Sequence, residues 1–135
     1  MLVFQTFFGV AYVNGTSMQP LFDNGDILIV KKWSAPQKGD VVTAYIEELD
    51  CVVVKRIVAT SGDYVTLKDD GVYINDEFLM SIANTGAGTG IDMIVPENHY
   101  FLMGDNENNS LDSRELGCVG KNNIQGVVIE KYGRR

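Results

Sequence analysis

The apolar positions of this chain recur with a period of two over short runs, not with the three-to-four spacing of an amphipathic helix. Seven such runs stand out: Asp26 to Lys32 (DILIVKK), Val41 to Glu47 (VVTAYIE), Cys51 to Thr60 (CVVVKRIVAT), Tyr64 to Lys68 (YVTLK), Val72 to Asn75 (VYIN), His99 to Met103 (HYFLM) and Ile124 to Tyr132 (IQGVVIEKY). Each is short, rich in valine, isoleucine and aromatics, and bounded by turn-forming residues, so each is expected to be a β-strand. The pairs Gly25-Asp26, Gly39-Asp40, Gly62-Asp63 and Gly104-Asp105 punctuate the runs. There glycine is expected to supply a positive φ and aspartate to cap its own turn. Asp69-Asp70-Gly71 lies between two alternating runs and signals a hairpin, so Tyr64 to Phe78 reads as a meander able to project from the main sheet. Ser81 to Gly90 (SIANTGAGTG) has the small, glycine-rich composition of a mobile loop. The expected fold is all-β: a compact, mainly antiparallel, barrel-like sheet with a projecting hairpin and loop extension over residues 64–95.

A chain of 135 residues suffices for one domain, 1–135, with a real core. The 45% of hydrophobic and 21% of charged residues are ordinary for a globular protein, and no stretch has the bias of a disordered tail. The net charge of -7 argues against nucleic acid as a partner, since basic residues cluster only at Lys131, Arg134 and Arg135. Met1 to Val13 (MLVFQTFFGVAYV) is almost wholly apolar, yet shorter than the about 20 residues a membrane span needs. It has neither the basic start nor the small-residue cleavage site of a signal peptide, which leaves a buried strand or the remainder of a membrane anchor. Cys51 and Cys118 form no Cys-x-x-Cys pair and stand apart from His99, so no metal-ligand spacing is present and no cofactor is implied. They read as core thiols, or as a disulfide if the domain lies outside the cytoplasm.

Three segments can carry chemistry. Ser17 lies in Val13-Asn14-Gly15-Thr16-Ser17-Met18-Gln19-Pro20, a turn whose backbone N–H groups can point at a carbonyl and form an oxyanion hole. On turn statistics alone it is a plain loop serine. A nucleophilic serine needs a base. His99, in Pro96-Glu97-Asn98-His99-Tyr100 at the head of a strand, has nothing of a serine triad around it and reads as structural. Lys55 is the better candidate. Strand alternation places it on one face with Cys51, Val53 and Ile57, while Arg56 points the other way with Val54 and Val58. An ordinary lysine, with a pKa of about 10.4, is neutral in only about one molecule in a few thousand at pH 7. Burial among apolar side chains lowers that value by up to about 3 to 5 units and makes an amine fit for proton abstraction. The competing reading has Lys55 snorkel from a strand edge. The third segment, Gly104 to Gly117, follows a buried strand with a run of polar side chains that must satisfy one another. Asp112 and Arg114 are able to form a bidentate ion pair there and Ser110 to orient an amine, although a solvated polar loop would have the same composition.

Taken together and in this order, the segments resemble the bacterial type I signal peptidases, membrane-bound proteases with a serine-lysine dyad. Ser17-Met18-Gln19-Pro20 with Gly25-Asp26-Ile27-Leu28 resembles the family's nucleophile box and its sequel. Gly39-Asp40-Val41-Val42 is similar to the next segment, Val54-Lys55-Arg56-Ile57-Val58 followed by Gly62-Asp63 to the lysine box, and Gly104-Asp105-Asn106 through Ser110-x-Asp112-Ser113-Arg114-x-x-Gly117 to the last, most specific box. The match runs from Phe4 to Val128. The resemblance implies Ser17 as nucleophile and Lys55 as general base, with Ser110 hydrogen-bonding the lysine and Asp112 with Arg114 bracing the site. It also implies the Ser17 N–H as one oxyanion donor, and specificity for small residues before the cut, as in Ala-x-Ala. Val13, Met18, Phe22, Val53 and Val54 would line the shallow pockets. Gly15 stands where some members carry a serine that supplies the second oxyanion donor. Glu107 replaces a frequent arginine and Leu21 a frequent threonine. The implied partners are exported preproteins with signal peptides and the lipid surface, with the catalytic domain on the extracytoplasmic face. Phe4 to Val13 matches the stretch after the family's transmembrane anchor, so the chain is expected to be a soluble fragment.

Two other readings compete. The self-cleaving repressors of the SOS response have the same dyad on a related β fold, but they lack the long polar box and usually carry a DNA-binding helical domain. An acidic β domain that binds extended peptides along a strand edge, as in pilus assembly, would need neither Ser17 nor Lys55.

Overall fold

The structure, a computed structural model, describes residues 8–81, 91–106 and 111–132. Strand-forming runs dominate it. β1 (Phe8–Tyr12), β2 (Ile27–Lys32), β3 (Val41–Ile46), β4 (Cys51–Thr60), β9 (His99–Met103), β10 (Val119–Gly120) and β11 (Ile124–Tyr132) form a seven-stranded antiparallel sheet in the order β1-β2-β11-β3-β4-β9-β10. β5 (Tyr64–Lys68), β6 (Gly71–Ile74), β7 (Glu77–Ser81) and β8 (Asp92–Ile94) form a second, in the order β7-β6-β5-β8. All seven sequence-predicted strands are present within a residue or so of their expected ends, because period-two alternation over a half-buried face admits little else. The barrel-like expectation resolves into two open sheets, with β1 and β10 at the edges of the larger one.

The extension begins as expected, with Asp69-Asp70-Gly71 turning β5 into β6. It does not stand free. Val65, Leu67, Val72 and Ile74 pack with Val58, Ala59, Phe101 and Met103 into a core that joins the two sheets. The expected loop over Ser81 to Gly90 keeps only Ser81 within the described residues, at the end of β7. β1 departs from the buried-strand reading: Phe8, Val10 and Tyr12 are exposed, and the strand lies along the outer edge of β2. β11 pairs with both β2 and β3, and Gly126 makes that insertion fit, since a Cβ there would meet the Val30 side chain and the Lys31 carbonyl. Among the described residues no helix is long and apolar enough to cross a membrane.

Three of the four Gly-Asp pairs do what their composition predicts. Gly25, Gly39 and Gly62 adopt φ of 93°, 97° and 87°, and Asp26, Asp40 and Asp63 accept backbone N–H bonds three residues upstream at 2.8, 2.9 and 2.8 Å. Asp63 also takes Asn75 Nδ2 at 3.0 Å and Lys38 Nζ at 2.8 Å, which ties the β3 approach to both sheets. Partial burial works to raise this carboxyl, but the bonds from Lys38, Thr60 and Asn75 outweigh it and hold it at about 2. A depressed carboxylate stabilises the fold above its unfolded value near 3.9 and loses that contribution as pH falls through about 2. Asp63→Asn is therefore expected to cost about 1–2 kcal/mol at pH 7, allowing for the exposure of Lys38, and progressively less below pH 4 in chemical denaturation.

The two thiols are free. Cys51 is exposed at the start of β4, which corrects its reading as a core thiol, and Cys118 is half-buried against the inter-sheet core, where loss of solvent pushes its pKa up to about 11.

Candidate active site

Three segments that are distant in sequence converge around the middle of β4, at Val54, Lys55 and Arg56. The strand alternation sends Lys55 to the face of Val53 and Ile57, which both belong to the core of Val42, Ala44, Ile46, Leu102 and Val119. Lys55 is only 5% exposed. It borders a cavity of about 10 Å³, room for about one water, beside Val53, Leu102, Leu111, Asp112 and Leu116. The snorkelling alternative fails on this burial.

Loss of solvent is the main influence on the Lys55 amine and lowers its pKa; the Asp112 charge opposes this and the Arg114 charge reinforces it. The geometry explains why desolvation wins. Asp112, 2% exposed, is taken up in a bidentate pair, with Arg114 Nε at 2.9 Å on Oδ1 and Nη2 at 3.0 Å on Oδ2. It also accepts Arg114 N at 3.1 Å as N-cap of the short helix α1 (Ser113–Leu116), and Gly104 N at 3.2 Å. A carboxylate so engaged presents little net charge to the amine nearby. Ser113, buried beside it, accepts Leu102 N on its Oγ at 2.9 Å and so fastens α1 to β9. Ser110, expected to bond the lysine, lies outside the described residues.

The nucleophile turn is held from two sides. Val13, Met18 and Phe22 pack with Leu28, Val41 and Val54. From above, Asn106 donates its N–H to the Ser17 carbonyl at 2.8 Å and its Nδ2 to the Thr16 carbonyl at 3.0 Å, and the Asp105 N–H meets Met18 Sδ at 3.4 Å. Gly15 takes φ 110° and spends its N–H on Asn24 Oδ1 at 2.8 Å, so it is not an oxyanion donor. The Ser17 N–H has no hydrogen-bond partner among the described residues and remains available. The structure places Ser17 and Lys55 on converging segments, with Met18 of the nucleophile turn packed against Val54 of β4.

Two features escaped the sequence reading. Gly104-Asp105 is not a capped turn like its three counterparts: Asp105 forms a fork with Arg56, at 2.9 Å from Nε and 2.8 Å from Nη2. Arg56 also reaches the Gly39 carbonyl at 2.8 Å, so the residue after the lysine clamps the polar box to the sheet. Second, the five expected pocket residues divide, four lying in the cluster under the nucleophile turn and Val53 in the core on the other face of β4. His99 stays at the head of β9, its Nδ1 at 2.8 Å from the Glu97 carbonyl, a structural position.

This arrangement has known counterparts. The family profile described as "Signal peptidase, peptidase S26" matches residues 1–132. The chain belongs to this signal peptidase family. Signal peptidase I of Bacillus licheniformis is 34% identical over 132 residues, covering 85% of this chain and 71% of that protein. Signal peptidase I S of Bacillus subtilis is 33% identical over 145 residues, covering 94% of this chain and 78% of that one. A crystal structure of a signal peptidase I from Enterococcus faecalis superimposes with a TM-score of 0.56 at 27% identity, over 71% of this chain and 98% of that chain. Membership of the signal peptidase family makes the chain one of a family of peptidases with a mainly antiparallel β fold.

Proposed function

We propose that the chain is the catalytic part of a serine endopeptidase that removes signal peptides from exported preproteins at a membrane surface, on its extracytoplasmic face, cutting after Ala-x-Ala-type sites. Ser17 attacks the scissile carbonyl, and neutral Lys55 takes its proton and passes it to the leaving amine. The Ser17 N–H receives the developing oxyanion. Val13, Met18, Phe22 and Val54 offer apolar walls for small side chains before the cut. Asp112 and Arg114 act through Lys55 as positioning residues, Val53 lies beside it, and the resemblance assigns Ser110 the role of a hydrogen-bond partner to the amine.

The observation that carries this reading is the buried, desolvated Lys55 amine in the middle of β4, next to Arg56, which clamps the Gly104–Asn106 segment that grips the Ser17 turn. Apo sites commonly hold nucleophile and base apart, and substrate closes the last gap. The test is cleavage of a peptide with Ala-x-Ala before the cut, in detergent or lipid. Ser17→Ala and Lys55→Ala are each expected to lose at least about 10³-fold in kcat/KM; cleavage that survives both substitutions contradicts the reading. Asn106→Ala, which removes the bond to the Thr16 carbonyl but keeps the backbone bond to Ser17, is expected to lower kcat about tenfold while costing only about 1 kcal/mol of stability.

A further inference from the structure

Ser17 sits in the loop that joins β1 to β2, and Asn24 on the outgoing leg of that loop accepts the Gly15 N–H of the incoming leg on its Oδ1 at 2.8 Å. The outgoing leg is a fixed anchor. Val13 N donates to the Asp26 carbonyl at 2.9 Å and Gly25 N to the Val13 carbonyl at 2.8 Å, so the β1–β2 ladder continues to the residue beside Asn24. Asp23 N donates to Asp26 Oδ2 at 2.8 Å and Asp26 N to the Asp23 carbonyl at 3.0 Å, which closes the turn around it. Gly15 has no such support of its own. It adopts φ 110°, a conformation that suits glycine, and a Cβ there would meet no heavy atom within 4 Å, so packing does not hold its backbone.

The consequence appears two residues on. The Thr16–Ser17 peptide is planar, so its N–H points away from its C=O. The Thr16 carbonyl accepts Asn106 Nδ2 at 3.0 Å and Gln19 N at 3.1 Å, which sets the direction of the Ser17 N–H. With the Gly15 N–H held by Asn24 and the Thr16 carbonyl held by Asn106, the backbone rotations at Gly15 and Thr16 between them are fixed. Resting on the dyad reading, we propose that Asn24 is a positioning residue for the reaction, which through Gly15 sets the place of the Ser17 hydroxyl and of its N–H before substrate arrives. Placing a nucleophile and an oxyanion donor in advance acts on the transition state, so loss of the bond falls on kcat. Val13, Met18 and Phe22 are held by packing with Leu28, Val41 and Val54, independently of Asn24, so KM is spared. The acceptor oxygen is what counts: aspartate supplies one at the same place and alanine supplies none.

Rapid mixing with an activated ester of a peptide ending in Ala-x-Ala tests this, because it reads the amount and the rate of Ser17 acylation separately, alongside steady-state cleavage of the corresponding peptide. Asn24→Ala is expected to acylate fully but with a rate constant about tenfold below wild type and a KM within about twofold of it. Asn24→Asp is expected to recover to within about threefold of the wild-type rate constant. A rate constant of Asn24→Ala equal to wild type, a KM that rises at unchanged kcat, or an Asn24→Asp as slow as Asn24→Ala overturns the role of Asn24. So does a loss of acylation amplitude in Asn24→Ala that accounts for its whole loss of rate, the mark of a merely structural residue. In each of those cases acylation of Ser17 in the wild type leaves the dyad standing. Absence of acylation at Ser17 in the wild type overturns the dyad reading and the role of Asn24 with it.

Discussion

Lys55→Met is expected to abolish cleavage, by at least about 10³-fold in kcat/KM, and at the same time to raise the stability of the protein near neutral pH. The two effects have one origin. Burial lowers the Lys55 pKa, which makes the amine a usable base and makes its protonated form costly in the folded state. The unfolded chain binds that proton at the ordinary lysine value of about 10.4. The cost is therefore fully present below the folded pKa and disappears as pH rises past about 10.4. Methionine has similar length and no charge to desolvate, so a gain of about 0.5–2 kcal/mol is expected at pH 7, fading toward pH 10.5. Chemical denaturation at both pH values reads it. A lysine that merely held the fold together would give the opposite sign, a loss of stability on substitution.

Arg114→Gln is expected to move the acidic limb of the rate profile to higher pH, lowering kcat/KM at pH 7 by about tenfold or more while leaving the alkaline plateau much less affected. Asp112 would keep its buried carboxylate but lose the guanidinium that occupies both oxygens, and its charge would then stabilise protonated Lys55. The double variant Asp112→Asn with Arg114→Gln removes both charges, so its limb should return toward the wild-type midpoint even though the protein is less stable. Removing one partner of a buried pair costs about 3–5 kcal/mol, so stability has to be measured alongside rate. A loss of rate that is uniform across pH in both variants would mean that the pair only supports the loop. Its influence on the protonation of the base would then be refuted.

What the sequence disclosed and what it hid follow from the range of the interactions involved. The strands were legible because alternation is local, and so was the face on which Lys55 lies, since Val53 and Ile57 two residues away share its core. The Asp112–Arg114 pair was legible for the same reason, the two being two residues apart. Asp105 was not. Its local sequence matches Gly25-Asp26, Gly39-Asp40 and Gly62-Asp63, and only the arrival of Arg56 from 49 residues away decides that it forms an ion pair and not a turn cap. Apolar composition left the start of the chain open between a buried strand and the remainder of an anchor; only the sheet order shows that β1 is the edge strand beside β2, with Phe8, Val10 and Tyr12 exposed. β7, β8 and β10 are too short or too exposed to leave a period in the sequence. The division of Val53 from the other pocket residues depends on which element covers each face, which no single strand encodes.

The most direct measurement of the central claim is to trap the covalent intermediate. An activated ester of a peptide ending in Ala-x-Ala, mixed rapidly with the chain and quenched in acid, is expected to leave one acyl group per molecule. Peptide mapping by mass spectrometry should place it on Ser17, with none formed by Ser17→Ala and little by Lys55→Met at neutral pH. An adduct on any other residue, or full acylation of Lys55→Met at neutral pH, would contradict the serine-lysine account.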